Sequence, residues 1–357
     1  ICPAAEKDIL LYGLRGGSQL SKTEKRPLPH VRWREMTPPQ RRVAWQRIGG
    51  RFWSVFRALL LIGLGYIILY PLLYMISMSI RTKNDMFDIT VNWIPKHLTA
   101  ETLQRVFVAM DYPKTLLNTV FVAGACSLLS SFVTSMAAYS FARFRFRGKG
   151  LLFALVIFSV IVPQSFYNMP AYIGFRYFHF FGILDAVNAV AGQGWHVNLI
   201  GTHFPLLLPA VFGVGLRAGL FIYLFRQFFR GVPRELEEAA YIDGCGYWPT
   251  YWRIMLPSVS SVFVSVFLFS FVWYWNDYQV TGLMMGTECP TLATNLSIVD
   301  TLLLAMDSKN GTAITDTVRT ALDRQGACLL MVMPLVLLYL FLRRFFVESI
   351  SRSGLVE

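Results

Sequence analysis

A run of six residues combines aromatic rings with polar side chains in a pattern that suits carbohydrate binding. A sugar ring has apolar C–H faces and a rim of hydroxyl groups, so aromatic faces and polar side chains can bind it together. Trp and Tyr also collect at membrane interfaces as simple anchors, and this alternative is equally open. We therefore treat the run as a candidate substrate pathway. It consists of Trp273, Tyr274, Trp275, Asn276, Asp277 and Tyr278.

Arg217 is the one clear charge in an otherwise apolar stretch, VFGVGLRAGLFIYLF. Ionisable residues inside a membrane usually face the interior of a helix bundle or a water-filled cavity. Arg217 either contacts a hydroxyl or carboxylate of a substrate or pairs with a carboxylate on another helix, and the sequence leaves both open. Tyr70, Gln164 and Asn168 are weaker pathway candidates for the same reason.

Residues 232–257 form a polar segment between two very apolar blocks and have the features of a helical hairpin. Pro233 suits the first position of a helix, and the glutamates that follow it favour the positive end of the helix dipole. Gly244 suits the left-handed residue that ends a helix, so the first helix is predicted to stop at Asp243. A second helix is predicted over about residues 247–255. We expect the pair to lie on a membrane surface.

The spacing within this hairpin resembles the EAA loop of bacterial ABC importer permeases. Glu238-Ala239-Ala240 is followed after three residues by Gly244 and, after nine more, by Ile254-Met255-Leu256-Pro257. Asp243 beside Gly244 is most similar to the carbohydrate-uptake branch, the family of the second maltose permease subunit. The likeness runs from about residue 56 to the end and includes Ala137-Ala138-Tyr139-Ser140-Phe141-Ala142-Arg143. Departures are the long amino-terminal tail, extra residues around 192–203, and Ser261 in place of a second Pro.

The resemblance implies that the hairpin couples the chain to an ATPase. In that role, small Ala side chains let a partner approach the helix backbone, Glu238 offers a charge to a partner's Arg or Lys, and Gly244 sets the angle between the two helices. The alternative is a surface helix whose glutamates merely suit its dipole. The coupling residues that we predict are Glu235, Glu238, Ala239, Ala240, Asp243, Gly244, Ile254, Leu256 and Pro257.

The same resemblance implies the partners of the chain. These are a homologous second permease subunit, two ATP-binding subunits and an extracellular or periplasmic solute-binding protein, with the lipid bilayer around the permease. ATP and Mg²⁺ would be bound by the partner ATPase, so no cofactor, catalytic residue or metal ligand is expected in this chain. The sequence contains no GxxxxGK[ST] loop and no paired Cys or His spacing typical of a metal site.

The composition predicts an all-α polytopic membrane protein with six transmembrane helices. Of the 357 residues, 55% are hydrophobic and only 15% are charged, which is too few charges for an ordinary soluble surface. A transmembrane helix needs about 20 apolar residues. Six stretches qualify or come close: 58–80, 116–142, 150–175, part of 204–224 with Arg217 inside it, 258–282 and 326–342.

The remaining organisation follows from charge. Residues 1–42 are predicted to be a flexible cytoplasmic tail, 43–57 an amphipathic helix in the membrane interface, and 58–357 the transmembrane domain that contains the 232–257 loop. Lys and Arg are concentrated in the tail and in every second loop between the predicted spans. This distribution accounts for the net charge of +12 without nucleic-acid binding. Both termini and the hairpin are therefore predicted to be cytoplasmic, at a bacterial inner membrane. The start at Ile1 indicates a missing or processed beginning.

The preferred function is the permease subunit of an ATP-driven ABC importer, forming half of the pathway for an oligosaccharide or related carbohydrate. An ABC permease for another solute, such as an amino-acid derivative or polyamine, would carry a similar hairpin. A stand-alone secondary transporter or a membrane enzyme is the alternative from a different class. Against it stand the missing catalytic constellation and the lack of an obvious inverted repeat between the halves.

Overall fold

The backbone of the described residues is almost entirely helical. The computed structural model describes residues 38–184, 186, 196–309 and 317–353, with their side chains except at 38–49, 51, 181 and 342–353. Within these ranges no strand forms, and extended pairing is limited to two isolated bridges, Arg81 with Leu98 and Phe178 with Val197. The predicted all-α class is confirmed. Residues 1–37 of the predicted tail, and residues 192–195 of the predicted extra stretch at 192–203, lie outside the described residues.

Two compact units divide the chain, residues 1–70 and 71–357. One helix, α1 (Pro38–Ser79), runs through the division and has Pro71 inside it. The sequence predicts a tail up to residue 42 and a separate interfacial helix over 43–57, whereas the structure has one uninterrupted helix. No Pro separates residue 57 from the apolar span, so the same helix continues through it. Its residues Phe52–Ser79 are long and apolar enough to cross a membrane.

Two long helices and several shorter ones make up the second unit. The long helices are α4 (Tyr112–Arg143) and α15 (Thr317–Ser353). The shorter helices are α2 (Lys83–Phe87), α3 (Glu101–Ala109), α5 (Lys149–Ile161), α6 (Ser165–Arg176), α7 (Phe204–Val211), α8 (Ala218–Gly231), α9 (Glu235–Ile242), α10 (Tyr247–Ser258, with a π-helical turn at Tyr251–Met255), α11 (Ser260–Asn276), α12 (Gln279–Met285), α13 (Leu292–Ser297) and α14 (Val299–Lys309).

Between three and five membrane spans fit the described helices by length and composition. Three single helices qualify: Phe52–Ser79, Tyr112–Arg143 and Thr317–Phe341. Two bent pairs qualify if each pair counts as one span, namely α5 with α6, bent by 101°, and α10 with α11, bent by 80°. The first bend lies at Pro163, which cannot continue the hydrogen-bond ladder of a helix. The third predicted span, 150–175, is therefore broken rather than straight. The fifth, 258–282, begins at the bend between α10 and α11 and is interrupted at residues 277–278, between α11 and α12.

The fourth predicted span, within 204–224, is not a single helix. α7 ends at Val211 and α8 begins at Ala218. Between them Gly213 and Arg217 have left-handed backbone conformations, with φ of +68° and +57°. This conformation ends a helix rather than continuing it. The predicted span within 204–224, which contains Arg217, therefore has a break in its backbone that apolar composition alone does not reveal.

The long helix α4 is the centre of the second unit's packing. It packs against α7, α8 and α11. Its buried positions carry small side chains, which let neighbouring helices approach closely. These positions include Ala123, Cys126, Ser127, Ser130, Ser131, Thr134, Ser135 and Ala138. Two apolar clusters form along α4, one around Val122 and Trp275 and the other around Tyr139 and Tyr251.

An ion cluster joins α3, α14 and α15. The guanidinium of Arg105 donates two hydrogen bonds to the Asp307 carboxylate, at 2.6 and 2.5 Å. Its Nε donates a third to Asp323 Oδ2 at 3.0 Å. The exposed fractions of the Arg105, Asp307 and Asp323 side chains are 14%, 12% and 2%, so the cluster is largely withdrawn from water. The hydrogen bonds from Arg105 hold the pKa of Asp307 below its usual value.

We predict that Arg105→Ala destabilises the chain because it leaves two poorly solvated carboxylates without their cation. The expected loss of unfolding free energy is on the order of 3 kcal/mol. Arg105→Lys should lose less, because it keeps the charge but not the fork that binds Asp307 with two N–H groups. Thermal unfolding of the purified chain in detergent at neutral pH would measure both.

Arg324→Ala is the matched control, because Arg324 pairs with Asp300 at an exposed position outside this cluster. A surface pair of this kind contributes at most about 1 kcal/mol. The lowered pKa of Asp307 means that its stabilising effect is present above the usual Asp pKa near 4 and is lost on acidification below it. The difference between wild type and Arg105→Ala should therefore shrink in acid. Equal losses in Arg105→Ala and Arg324→Ala would contradict the assignment.

Candidate functional site

The segment predicted as a hairpin forms two short helices joined by a tight turn. α9 ends at Ile242, and Gly244 has φ of +82°. The N–H of Gly244 donates to the carbonyl of Tyr241 at 3.1 Å, and that of Cys245 to the carbonyl of Ala240 at 2.9 Å. This pair of bonds is the Schellman arrangement that closes a helix through a left-handed residue. This geometry agrees with the predicted end of the first helix and with the left-handed conformation predicted for Gly244.

The α9 helix has an exposed face and a buried face. Glu235, Glu238 and Ala239 lie on the exposed face, together with Asp243 and Gly244 after the helix. Three of these carry side chains that a partner could reach without any rearrangement of this chain: the two glutamates and Asp243. A charged, accessible face of this kind is what docking on a basic partner requires.

Three of the predicted coupling residues are buried or half-buried. Ala240 is 3% exposed and packs inward, so it does not offer its small side chain to a partner. Ile254 and Leu256 on α10 are half-buried, whereas Pro257 is exposed. Ala240 therefore helps α9 approach the rest of its own chain, and Ala239 is the alanine that remains accessible.

A buried ion pair holds the inner face of α9 against the end of α4. Arg143 Nε lies 3.4 Å from Glu237 Oε1, and the two side chains are 6% and 9% exposed. Arg143 Nη2 also donates a hydrogen bond to the carbonyl of Val232, where the hairpin begins. Sequence reasoning missed this role of Glu237, because both Glu237 and Glu238 suit the helix dipole. Only the position of Arg143 distinguishes them.

A cavity of about 680 Å³ opens beside this ion pair. It lies between the end of α4 and the two helices of the hairpin. Aromatic side chains make up much of its wall, together with the charged groups of Arg143, Arg145 and Glu237. The aromatic members are Tyr139, Phe144, Tyr241, Tyr247, Trp248 and Tyr251.

Two members of the aromatic run, Tyr274 and Trp275, lie in the protein core. Each is 2% exposed. The Tyr274 hydroxyl accepts a hydrogen bond from the N–H of Leu216 at 3.1 Å. Trp275 Nε1 donates to the carbonyl of Met331 at 3.2 Å. Their polar atoms are therefore used within the chain, which favours a packing role over contact with a substrate.

The last three residues of the run form the corner between α11 and α12. Asp277 caps α12, since its carboxylate accepts from the N–H and the hydroxyl of Thr281, both at 2.7 Å. Asn276 donates to the carbonyl of Val272 within its own helix. Tyr278 is 52% exposed. Asp277 thus has a local structural function, whereas the ring of Tyr278 is available to a ligand.

Arg217 is exposed at the break before α8 and lies over an aromatic ring. Its guanidinium carbon is 5.6 Å from the ring centroid of Trp273, within the range of a cation–π contact. Trp273 in turn packs on Phe221, with centroids 5.5 Å apart. Among the described residues no carboxylate pairs with Arg217. The structure thus brings together two of the predicted pathway residues, Arg217 and Trp273.

The remaining pathway candidates lie on other helices. Gln164 and Asn168 are half-buried at the bend between α5 and α6. α8 lies very close to α5: a Cβ added to Gly219 on α8 would be only 2.9 Å from the carbonyl oxygen of Val156 on α5. Tyr70 belongs to the first unit, where its ring contacts that of Tyr66 with centroids 5.9 Å apart.

Residues 130–352 match the family described as "Binding-protein-dependent transport system inner membrane component". This stretch contains α4 from Ser130 onwards, the whole hairpin and the aromatic run. The chain belongs to this family. It is therefore a permease component of a binding-protein-dependent transport system, as the hairpin spacing predicts.

Curated relatives of this permease cover most of its length. Protein LplC of Bacillus subtilis (strain 168) is 27% identical over 305 residues, which are 84% of this chain and 93% of that protein. The arabinooligosaccharides transport system permease protein AraQ of Halalkalibacterium halodurans is 24% identical over 295 residues, 82% of this chain and 92% of that protein.

A solved structure shares the fold of this permease. It is a crystal structure of a bacterial ABC transporter involved in the import of the acidic polysaccharide alginate. The TM-score is 0.64 at 19% sequence identity, and the match covers 84% of this chain and 98% of that chain. At this level of identity the likeness concerns the fold.

We predict that Gly244→Val strains the hairpin turn, because a residue with a Cβ is disfavoured at φ of +82°. The expected cost is roughly 1–2 kcal/mol, and Gly244→Asn should cost less, since Asn tolerates this conformation. No atom lies within 4 Å of the added Cβ, so the effect is one of backbone conformation and not of a clash. Thermal unfolding would measure it.

Gly246→Val is the matched control two residues away. Gly246 has an extended backbone with φ of −78°, which Val adopts readily, and its nearest atom is 3.9 Å from the added Cβ. A similar loss in both variants would show that bulk in the turn matters rather than the left-handed conformation of Gly244.

Proposed function

We propose that this permease forms half of the translocation pathway of an ATP-driven ABC importer for an oligosaccharide or related carbohydrate. Family membership and relatives such as AraQ support this function. The observation that carries it in this chain is the two-faced α9 helix. Its outer face presents Glu235 and Glu238 to a partner, while Glu237 on its inner face is tied to α4.

The finer membrane topology is part of the same proposal. We place six spans in the bilayer: the three single helices, the bent pair of α5 with α6, the single helix α11, and the broken pair of α7 with α8. Both termini and the hairpin lie in the cytoplasm, because Arg143, Arg145, Arg230 and Arg234 crowd that side. The non-helical stretch between α7 and α8 is compatible with a membrane protein where it is buried or lines a cavity.

The hairpin transmits the movement of the ATPase. Two ATP-binding subunits, which hold ATP and Mg²⁺, close on nucleotide and move the hairpin as a rigid lever, changing the permease from inward-facing to outward-facing. A homologous second permease supplies the other half of the pathway, and a solute-binding protein delivers the substrate. Hydrolysis belongs to the ATPase, and the role of this chain is to convert it into movement.

The pathway residues that we favour combine one charge with aromatic and polar groups. Arg217 over Trp273 forms the centre, with Tyr278, Asn276, Gln164, Asn168 and Tyr70 as further candidates. Tyr274 and Trp275 support them from the core, and Asp277 fixes the corner that precedes α12. A guanidinium beside an aromatic face suits a sugar with hydroxyl or carboxylate groups.

We predict that Glu238→Lys detaches the ATPase, because it reverses the charge on the exposed face of α9. Tagged wild-type chain purified from its own host in mild detergent should retain an ATPase and a second permease, identified by mass spectrometry. Glu238→Lys should lose the ATPase and abolish uptake. Glu288→Lys reverses the charge of another exposed glutamate, which lies outside the hairpin. It is expected to change neither the retention of the ATPase nor uptake.

Two outcomes would contradict the proposed function. If Glu238→Lys retains the ATPase and normal uptake, the hairpin is not the coupling site. If the wild-type chain purifies alone and uptake depends on a proton or sodium gradient rather than ATP, the chain is a stand-alone transporter.

We predict that Arg217→Ala raises the KM for uptake by about tenfold or more, because a hydrogen bond to a charged group contributes about 1.5–3 kcal/mol. Tyr274→Phe should lower yield and thermal stability with little change in KM, because it leaves the N–H of Leu216 without an acceptor. Uptake assays in proteoliposomes with the matching binding protein would compare them. If Arg217→Ala lowers only the yield, Arg217 has a structural role.

A further inference from the structure

Glu237 and Arg143 are charged residues with side chains that are more than nine-tenths buried, and docking of the ATPase on the outer face of α9 does not use them. Burying a carboxylate and a guanidinium is costly unless they compensate each other. Arg143 is the last residue of α4, and Glu237 lies in the first turn of α9. Their pairing is therefore the charged link between the hairpin and the central helix.

The guanidinium of Arg143 contacts the hairpin at two points. Its Nε faces Glu237 Oε1 at 3.4 Å, and its Nη2 donates to the carbonyl of Val232. One guanidinium therefore contacts the entry of the hairpin by a hydrogen bond and the inner face of α9 by an ion pair in which Nε and Oε1 form no hydrogen bond. The planar, forked shape of this group makes such a double contact possible, and a lysine would supply only one point of attachment.

The second helix of the hairpin is also attached to α4. The Tyr251 hydroxyl and Ser135 Oγ share a hydrogen bond at 2.6 Å, and both groups are buried. The ring of Tyr251 also packs against that of Tyr139, with centroids 5.3 Å apart. Both hairpin helices thus contact α4 through polar groups, one by charge and the other by hydroxyls.

At its other end α4 is tied to segments far along the chain. The Asn118 amide donates to the carbonyls of Cys289 and Pro290, both at 2.8 Å. Thr119 accepts from the N–H of Leu292 at 2.8 Å. A displacement of α4 at Arg143 therefore acts on these segments as well, provided that the hairpin does not slip on the helix.

We infer that Arg143 and Glu237 are positioning residues that make the hairpin and α4 move together, so that a push on the outer face of α9 reaches the pathway. This inference rests on the proposed coupling role of the hairpin. The Arg143 and Glu237 side chains are buried within this chain, so they act through the hairpin and not by direct contact with a partner. Without the pair, the ATPase still binds Glu238 and hydrolyses ATP, but the hairpin moves against α4 instead of with it.

The test measures uptake and ATP hydrolysis in the same proteoliposomes, using the complete importer with its binding protein. The ratio of substrate transported to ATP hydrolysed should fall at least about fivefold in Glu237→Gln, the lower end of ordinary coupling between sites. The ATPase should still co-purify. The double variant Arg143→Glu with Glu237→Arg should recover part of the ratio, because it restores opposite charges at the same two positions.

Arg145→Gln is the matched control. Arg145 lines the same cavity two residues from Arg143, but it is exposed and has no ion pair among the described residues. Its removal should leave the ratio unchanged. If Glu237→Gln does not assemble, Glu237→Asp keeps the charge on a shorter side chain and should give a smaller fall in the ratio.

The outcomes separate this inference from the proposed function. A merely structural pair would reduce the amount of assembled importer at an unchanged ratio, which would overturn the inference while leaving the coupling site intact. An unchanged ratio in assembled Glu237→Gln or Glu237→Asp would do the same. Failure of the wild-type chain to bring down any ATPase would overturn the proposed function itself.

Discussion

The close packing of helices around α4 is the interaction on which the rest of the structure depends. Close approach requires small side chains, and many of those on α4 carry hydroxyl groups that need hydrogen-bond partners in an apolar environment. The helix itself supplies several: Thr119 donates to the carbonyl of Thr115 at 2.7 Å, and Thr134 to that of Ser130 at 2.6 Å. Because the Thr119 and Thr134 hydroxyls are satisfied within the helix, α4 packs against α7, α8 and α11 without needing a polar partner for them. The buried hydroxyls of Ser130 and Ser131 have no hydrogen-bond partner among the described residues.

This arrangement places the longer-range polar contacts of α4 towards its ends. Asn118 near one end bonds the carbonyls of Cys289 and Pro290, and Arg143 at the other end holds Glu237. The middle of the helix is held mainly by contact of small surfaces, which is non-directional. The ends are held by directional and charged contacts. A helix held in this way is suited to moving as one body, because the directional contacts at its two ends limit how far it can slide along the helices packed against its middle.

The sequence predicts the features that local chemistry determines. Pro233 and Gly244 mark the ends of α9 through their own backbone preferences, so the hairpin could be located without knowledge of its surroundings. The features that depend on distant partners could not be located. Glu237 and Glu238 are chemically the same, and only contact with Arg143 buries one of them. Tyr274 and Trp275 likewise resemble their neighbours in the run, but their polar atoms meet the backbone of Leu216 and Met331.

The break between α7 and α8 connects a residue with a structural role to one of the proposed pathway residues. Backbone N–H groups in a broken helix need acceptors, and here the N–H of Val214 donates to the carbonyl of Pro209 at 2.9 Å, while that of Leu216 donates to the Tyr274 hydroxyl. Once these groups are satisfied, Arg217 can adopt its left-handed conformation at the break. Its guanidinium then lies over Trp273, the residue that precedes Tyr274 in the same helix. The exposed position of Arg217 therefore depends on the buried position of Tyr274. This dependence explains why neighbouring residues of one aromatic run have different roles: Tyr274 supports the backbone, and Trp273 contacts Arg217.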